Sequence, residues 1–342
     1  MIQYCDAEEF IDYSMEYPVI DVRSPREFSV GHIFNAYNIP LFDNEERKKV
    51  GIRYKNSGKE HAILLGLDIV GPKLTAFVKK LKETVKQKNI LLHCWRGGMR
   101  SKNMAWLFDM AGFNVFVLNG GYKAYRNYIR EYFEKKANII ILGGMTGCGK
   151  TDILHFIKKS GEQVLDLEKI ANHKGSAFGN LGIQPTNEQF ENNIFYFWKK
   201  FNLNNPIWIE DESISIGSVS IPAPLFNQMK NTDVIKIDLD KKIRVNRLVR
   251  EYANVDVQIL KNNILKISKR LGGLNTKKTI EALDKYDFHS VADISLVYYD
   301  KAYNYGLSKR DKNKIHPIIL DEDIPEKNAR KIIDFFYSFN KD

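Results

Sequence analysis

Two short stretches of this 342-residue chain carry residue types at spacings that can do chemistry. The first is His93-Cys94-Trp95-Arg96-Gly97-Gly98-Met99-Arg100-Ser101, a cysteine followed after five residues by Arg-Ser. A thiol attacks as its thiolate, a form that helix N-termini and nearby cations favour. Cys94 gains that setting if a helix begins near Ser101. Gly97 and Gly98 let the backbone curl until its N–H groups face a bound atom. Arg100 closes the ring and Arg96 adds charge. Such a loop is a cup for an anion, or for a chalcogen carried on sulfur. A cysteine buried for packing alone needs neither the Gly-Gly pair nor the Arg-Ser. His93, inside the preceding apolar run, reads as structural rather than as a base.

The second stretch, Gly144-Met145-Thr146-Gly147-Cys148-Gly149-Lys150-Thr151, fits G-x4-G-K-[ST]. An apolar strand precedes it and the helix-like "TDILHFIKKSG" follows, which is the context a phosphate loop requires. Backbone N–H groups from Gly144, Thr146, Gly147, Cys148 and Gly149 would cradle phosphates. Lys150 would reach the outer phosphate and Thr151 would bind Mg²⁺. The Cys148 side chain reads as structural. The acid that completes such a site should end a later apolar strand. "PIWIEDES" supplies Glu210, Asp211 and Glu212, so the candidate metal set is Thr151 with Glu210 or Asp211.

The elements that must position these loops alternate strand and helix. "YPVIDVRS", "KNILLHCW" and "FNVFVLNGGY" read as buried parallel strands. "PKLTAFVKKLKETVKQ" and "RSKNMAWLFDMAGF" read as the amphipathic helices between them. That order implies an α/β layer whose ligands sit at the C-terminal ends of strands. The strand pattern restarts at "ANIIILGG" and continues through "EQVLDL", "NPIWIEDES" and "TDVIKIDLD". After Lys241 the sequence turns helical and basic. The expected division is therefore a domain over 1–130, a helical linker over 131–137 and a second α/β domain over 138–342 with a helical C-terminal part.

Composition narrows the class. Hydrophobic residues make up 44% and charged residues 27%, a globular rather than disordered balance. The net charge of +10 suits a polyanionic partner, nucleic acid first among them. Three cysteines make no disulfide framework and fit a reducing cytoplasm. The N-terminus lacks signal-peptide character. The run Ile139 to Leu142 is too short to span a bilayer, so no membrane role is expected.

The Cys-x5-Arg-Ser spacing is that of the protein tyrosine phosphatase loop, but the flanking sequence resembles another family. "DVRSPREF", "GHI" and "NIP" (Asp21 to Pro40) resemble the N-terminal signature of the rhodanese superfamily, and "LNGGYKAY" (Leu118 to Tyr125) its C-terminal signature. This loop is one residue longer than in common rhodaneses, and a larger cup suits a phosphate-sized group or selenium with its donor. A rhodanese-fold phosphatase or sulfurtransferase is therefore the alternative reading. The whole chain resembles bacterial tRNA 2-selenouridine synthases. Besides both loops, the resemblance is carried by "HAILLGLDIVGPKL", "ANHKGSAFG", "QPTNEQFEN", "IEDESISIG" and "YYDKAY".

That resemblance implies an N-terminal rhodanese-like parallel-sheet domain followed by a P-loop NTPase-like α/β domain. It implies replacement of the sulfur of wobble 2-thiouridine in tRNA by selenium, through an S-geranyl intermediate. Geranyl diphosphate and selenophosphate are the implied co-substrates, Cys94 the implied selenium carrier, and the selenophosphate-producing enzyme a further expected partner. No base-binding or lid signature of nucleotide kinases is identifiable, which speaks against ATP. For the tRNA, the expected contacts are His173, Lys174 and Ser176, together with Arg244, Arg247 and Arg250. Those arginines, with Lys266, Lys269 and Arg270, recur at helical spacings that can follow a phosphate backbone. The apolar "SAFGNLG" and "IFYFW" (Ile194 to Trp198) could line a slot for the prenyl chain, but read first as core.

Overall fold

The structure, a computed structural model, describes residues 1–173, 182–253 and 255–339. Contacts divide the chain into two units, 1–134 with 191–196, and 135–190 with 197–342.

In the first unit the elements run β1 (Ile2–Cys5), α1 (Ala7–Tyr13), β2 (Val19–Asp21), α2 (Pro25–Val30), β3 (Tyr37–Asn38), α3 (Asn44–Val70), α4 (Leu74–Thr84), β4 (Asn89–His93), α5 (Met99–Met110), β5 (Asn114–Leu118) and α6 (Gly121–Tyr132). The strands form one parallel sheet in the order β1-β5-β4-β2-β3. Period-two alternation sends Ile90, Leu92 and Cys94 to one face, where they join a core with Phe77, Leu81, Met104 and Phe108. Capping boxes, Asp6 with Glu9 and Ser24 with Glu27, start α1 and α2 and satisfy N–H groups that a helix start leaves open.

A third capping box, Asp43 with Glu46, starts α3, which breaks at Gly58 with φ +84°. Lys73 then returns to pair with Glu46. α3 is thus a hairpin of two helical arms, and of its 27 residues Ala62 alone is buried. The stretch Asn44–Thr84 is long and apolar enough to cross a membrane. Gly58, at φ +84°, divides that length into two arms.

In the second unit the order is β6 (Ile139–Gly144), α7 (Lys150–Lys159), β7 (Gln163–Leu165), α8 (Leu167–Ala171), α9 (Asn187–Trp198), β8 (Ile207–Glu210), β9 (Ser215–Ile216), β10 (Val219–Ser220), α10 (Ala223–Lys230), β11 (Val234–Leu239), α11 (Lys241–Tyr252), α12 (Val257–Leu271), α13 (Gly273–Asp284), α14 (Phe288–Leu307), β12 (Ile315–Leu320) and α15 (Pro325–Phe339). A parallel sheet runs β12-β11-β6-β8-β7. The phosphate-loop strand β6 is central, with β8 and β11 on either side, so its loop opens where ligands enter such sheets. Leu142, Trp208, Ile235 and Ile237 pack with Ile153, Ile157, Ile332 and Phe336. The basic helical part has a core of its own, including Leu248, Leu260, Ile264, Leu283 and Leu296. On the edge strand β12, Pro317 pairs with Lys236 of β11, and Lys331 Nζ donates to Ile319 O at 2.8 Å.

The division differs from the sequence expectation in two places. The segment expected as a helical linker over 131–137 is helical only to Tyr132. Residues 191–196 of α9 belong with the first unit, because Phe195 packs edge-on against Tyr125, Tyr132 and Phe133 of that unit.

Candidate functional site

The cysteine loop is set by two close backbone approaches. Gly120 and Gly121 have φ +73° and +61°, and a side chain on Gly121 would meet Cys94 O at 2.4 Å and Gly97 N at 2.5 Å. With no side chain between them, Tyr122 N–H donates to Cys94 O at 2.8 Å and Lys123 N–H to Trp95 O at 3.0 Å. The carbonyls of the loop are thus taken by the start of α6. Among the described residues no acceptor takes the N–H groups of Trp95, Arg96, Gly97 or Gly98, which are left for a ligand. Gly97, at φ +65°, makes the curl that gathers them.

Cys94 is 3% exposed and its Sγ lies 3.2 Å from Ser101 Oγ. Ser101 donates its one hydroxyl proton to Gly98 O at 3.1 Å, so in this geometry the thiol donates to Ser101. Turned towards sulfur, the same hydroxyl would donate to a thiolate. Arg100 is held by Glu27 of α2, at 2.7 Å and 3.3 Å. Burial acts against a charged Glu27, yet the Arg100 guanidinium holds its carboxyl below the ordinary range. The remaining N–H groups of Arg100 are those available to a ligand. Arg96 is exposed and forms no ion pair among the described residues.

Behind the loop lies a buried polar cluster. Arg23 donates to Asp21 at 2.6 Å and to Gly31 O at 2.6 Å, and its guanidinium stacks 3.8 Å from the Tyr122 ring. Burial pushes the His93 imidazole down to about 4, so it is neutral near pH 7 and structural in character. Asn192 donates to the Tyr122 hydroxyl at 2.7 Å and to His32 O at 2.9 Å. Tyr122 and Asn192 lie in "LNGGYKAY" and "QPTNEQFEN", two stretches that carry the family resemblance, but the sequence assigns neither a role. Each is remote from Cys94 along the chain, and only tertiary packing brings them behind it.

In the second unit, Gly149 at φ +72° precedes α7, and a side chain on Gly147 would meet the Arg244 backbone at 3.1 Å. Lys150 Nζ donates to Gly144 O at 2.9 Å and lies 3.5 Å from Glu210. Burial works against its charge, but Glu210 and the acidic groups around it raise the ammonium above the ordinary lysine range. Thr151 Oγ1 donates towards Glu210 at 3.1 Å and Glu168 at 3.3 Å. Carboxylate oxygens of Glu168, Glu210 and Glu212 all lie within 4.8 Å of one another. Burial, then Glu210 and Glu168, push the Glu212 carboxyl well above its usual range. Carboxylates crowded beside a threonine hydroxyl fit a hard divalent cation.

Two candidates, Asp211 and the Cys148 N–H, are placed differently from expectation. Asp211, on the opposite face from Glu210, pairs with Arg310 at 2.7 Å and stays out of the carboxylate cluster. Glu168 takes its place, from α8 beyond the neighbouring strand β7. A carboxylate just past a parallel strand is a signal present in "VLDLEK", but only the strand order gives it meaning. Cys148 serves the core: it is 2% exposed and its N–H donates to Met145 O at 3.2 Å.

The RNA-contact candidates also separate. Arg244 is buried, gripping Asp300 with two nitrogens at 2.8 Å and the phosphate-loop carbonyl of Thr146 at 3.1 Å. Arg247 is held by Asp323, Asp152 and Glu251. Both are structural supports of the loop, a correction to their reading as RNA contacts. Arg250 is exposed beside Asp323. His173 is half-buried. Lys174, Ser176 and the "SAFGNLG" segment lie outside the described residues. Ile194, Phe195 and Trp198 are buried as core.

Comparison with known proteins adds independent findings. Residues 137–321 match the family described as tRNA 2-selenouridine synthase AAA domain, and residues 6–128 match the rhodanese-like domain. The tRNA 2-selenouridine synthase of Hydrogenovibrio crunogenus is 34% identical, over 86% of this chain and 90% of that protein. The one from Shewanella denitrificans is 33% identical, over 86% and 89%. Among solved structures, the N-terminal domain of a putative ATP/GTP binding protein from Clostridium difficile 630 is 39% identical. It covers 37% of this chain and 98% of that one, with a TM-score of 0.34.

Proposed function

The chain belongs to the tRNA 2-selenouridine synthase family, and from that premise we propose that it converts wobble 2-thiouridine to 2-selenouridine in two steps divided between its loops. Membership makes it a tRNA-modifying enzyme; the route and the residue roles are our reading. The observation that carries it is the pairing, in one chain, of a thiol loop with free N–H groups and a phosphate loop with a carboxylate cluster.

In the first step, the thiouridine sulfur attacks the allylic carbon of geranyl diphosphate, a C–S bond forms, the C–O bond breaks and diphosphate leaves. The N3 proton is lost to give the neutral S-geranyl base. Gly144, Thr146, Gly147 and Gly149 offer N–H groups to the diphosphate, and Lys150 neutralises the departing charge. Thr151, Glu168, Glu210 and Glu212 would hold Mg²⁺, which when bound adds charge stabilisation for the leaving group. ATP has no role in this route.

In the second step, the selenium of selenophosphate attacks C2, the C2–S bond breaks and the sulfur leaves as geranyl thiol; water then cleaves the Se–P bond, releasing phosphate and leaving 2-selenouridine. Alkylation is what makes this possible, since the sulfur of intact thiouridine is a poor leaving group. Cys94, the proposed selenium carrier, holds the donor's selenium against C2 while that exchange takes place, with no S–Se bond required. The N–H groups of Trp95 to Gly98, with Arg96 and Arg100, hold the anionic donor, and Ser101 supplies a hydrogen bond to the thiolate. A selenophosphate-producing enzyme is the partner that supplies the donor. Three free cysteines suit the reducing cytoplasm, where we place the protein.

The test is mass spectrometry of wobble nucleosides from thiolated tRNA incubated with the protein, geranyl diphosphate and selenophosphate. Thiouridine should pass through a geranylated species to selenouridine; an unchanged nucleoside would overturn the reading.

A further inference from the structure

We infer that the α3 hairpin is the arm by which this protein grips the phosphate backbone of its tRNA, an inference that rests on the tRNA substrate proposed above. The hairpin contributes little to the core, so its length calls for another use. Along its first arm runs an open cleft of about 350 Å³, lined by Lys49, Ile52, Arg53, Asn56 and Ser57, with Leu65 from the second arm. Apolar Ile52 and Leu65 stand beside two cations and an amide, the combination that takes a ribose or base edge together with its phosphate.

Charge places the partner. Lys48, Lys49, Arg53, Lys55 and Lys59 are exposed and, among the described residues, form no ion pair. Arg244 and Arg247, by contrast, are consumed by carboxylates inside the second unit. Cations held open on one arm attract a polyanion, and salt bridges do not compete for them. Tyr54, 59% exposed on the same arm, offers a face for stacking. An anionic membrane would answer to the same charge. A cleft that sets hydrogen-bond donors beside Ile52 and Leu65 fits a nucleotide better than a lipid surface.

The experiment is direct binding of thiolated tRNA to the full chain between 50 and 200 mM salt, comparing wild type with the double variant Lys49→Ala/Arg53→Ala. Loss of two phosphate contacts should weaken binding about tenfold or more at intermediate salt and flatten the log–log salt slope by about 1.5. The variant should keep its circular dichroism and its turnover at saturating tRNA, while KM rises. Lys55→Ala/Lys59→Ala, further along the same arm, should weaken binding in the same direction. If wild type binds tRNA and both variants bind with unchanged affinity and slope, the hairpin inference fails alone. Failure of wild type to bind would remove the tRNA reading and the hairpin with it. Loss of binding to phosphatidylserine vesicles with tRNA binding intact would assign the arm to a membrane and overturn the proposal.

Discussion

Tyr122 N–H donates to the carbonyl oxygen of Cys94 at 2.8 Å, so the helix after β5 holds the thiol loop by its backbone. The glycine before Tyr122 makes this approach possible. Gly121→Ala would drive a methyl to 2.4 Å from Cys94 O at φ +61°, and the loop must shift. The strain is on the order of 1–3 kcal/mol. Selenation should collapse while geranylation of thiolated tRNA persists, as read from wobble nucleosides.

Cys94→Ser should likewise abolish selenation and spare geranylation; equal loss of both would mean that the loop is structural. Ser101→Ala tests the hydrogen bond to sulfur. Losing that hydroxyl should slow alkylation of Cys94 by iodoacetamide at pH 7 by roughly threefold, with the fold intact.

Lys150→Ala should reduce geranylation about a hundredfold or more, yet leave selenation of tRNA geranylated beforehand. Glu210→Gln should weaken Mg²⁺ dependence of the first step. Asp211→Asn should leave that dependence unchanged and instead destabilise the protein in urea, because Arg310, with a 4% exposed side chain, loses its buried partner. Breaking such a pair costs about 3–5 kcal/mol.

Arg244→Ala should behave in the same way. Removing it orphans Asp300 and frees the Thr146 carbonyl, so a loss of about 3 kcal/mol is expected. The salt slope of tRNA binding should not change.

Acid stability follows from His93. Its imidazole sits at about 4 when folded against about 6.5 in an unfolded chain. Between those values the unfolded chain binds the extra proton, so this contribution is present above pH 6.5 and is lost as pH falls to 4. The loss is about 3 kcal/mol. Urea midpoints of His93→Gln should fall less steeply across that window than those of wild type.

Much of the fold was legible because its signals are local. Buried parallel strands such as "ILLH" and "IIILGG" are short apolar runs, and glycines with a lysine or arginine mark the loops that follow. Edge strands were harder: β1 carries exposed Tyr4 and β12 carries Pro317, so neither reads as a buried run. The site was legible where neighbours in sequence are neighbours in space. Glu168 meets Glu210 only because β7 lies beside β8. Helical spacing put Arg244 and Arg247 on one face, but what that face meets is a tertiary fact. The α9 segment that completes the first unit shows the same limit, since nothing in "ENNIFY" says which core it joins.

The β12 edge bears on how the protein behaves when concentrated. An open strand edge is a template for another chain, and untended edges invite fibrils. Pro317 has no N–H to offer, and Lys331 occupies the Ile319 carbonyl. At the other edge, β7 is three residues long, and β3 ends the first sheet after two. Of the four borders of the two five-stranded sheets among the described residues, three are thus too brief or too obstructed to recruit a stranger. The exception is β1, four residues starting at Ile2, where aggregation of a partly unfolded chain would be expected to begin.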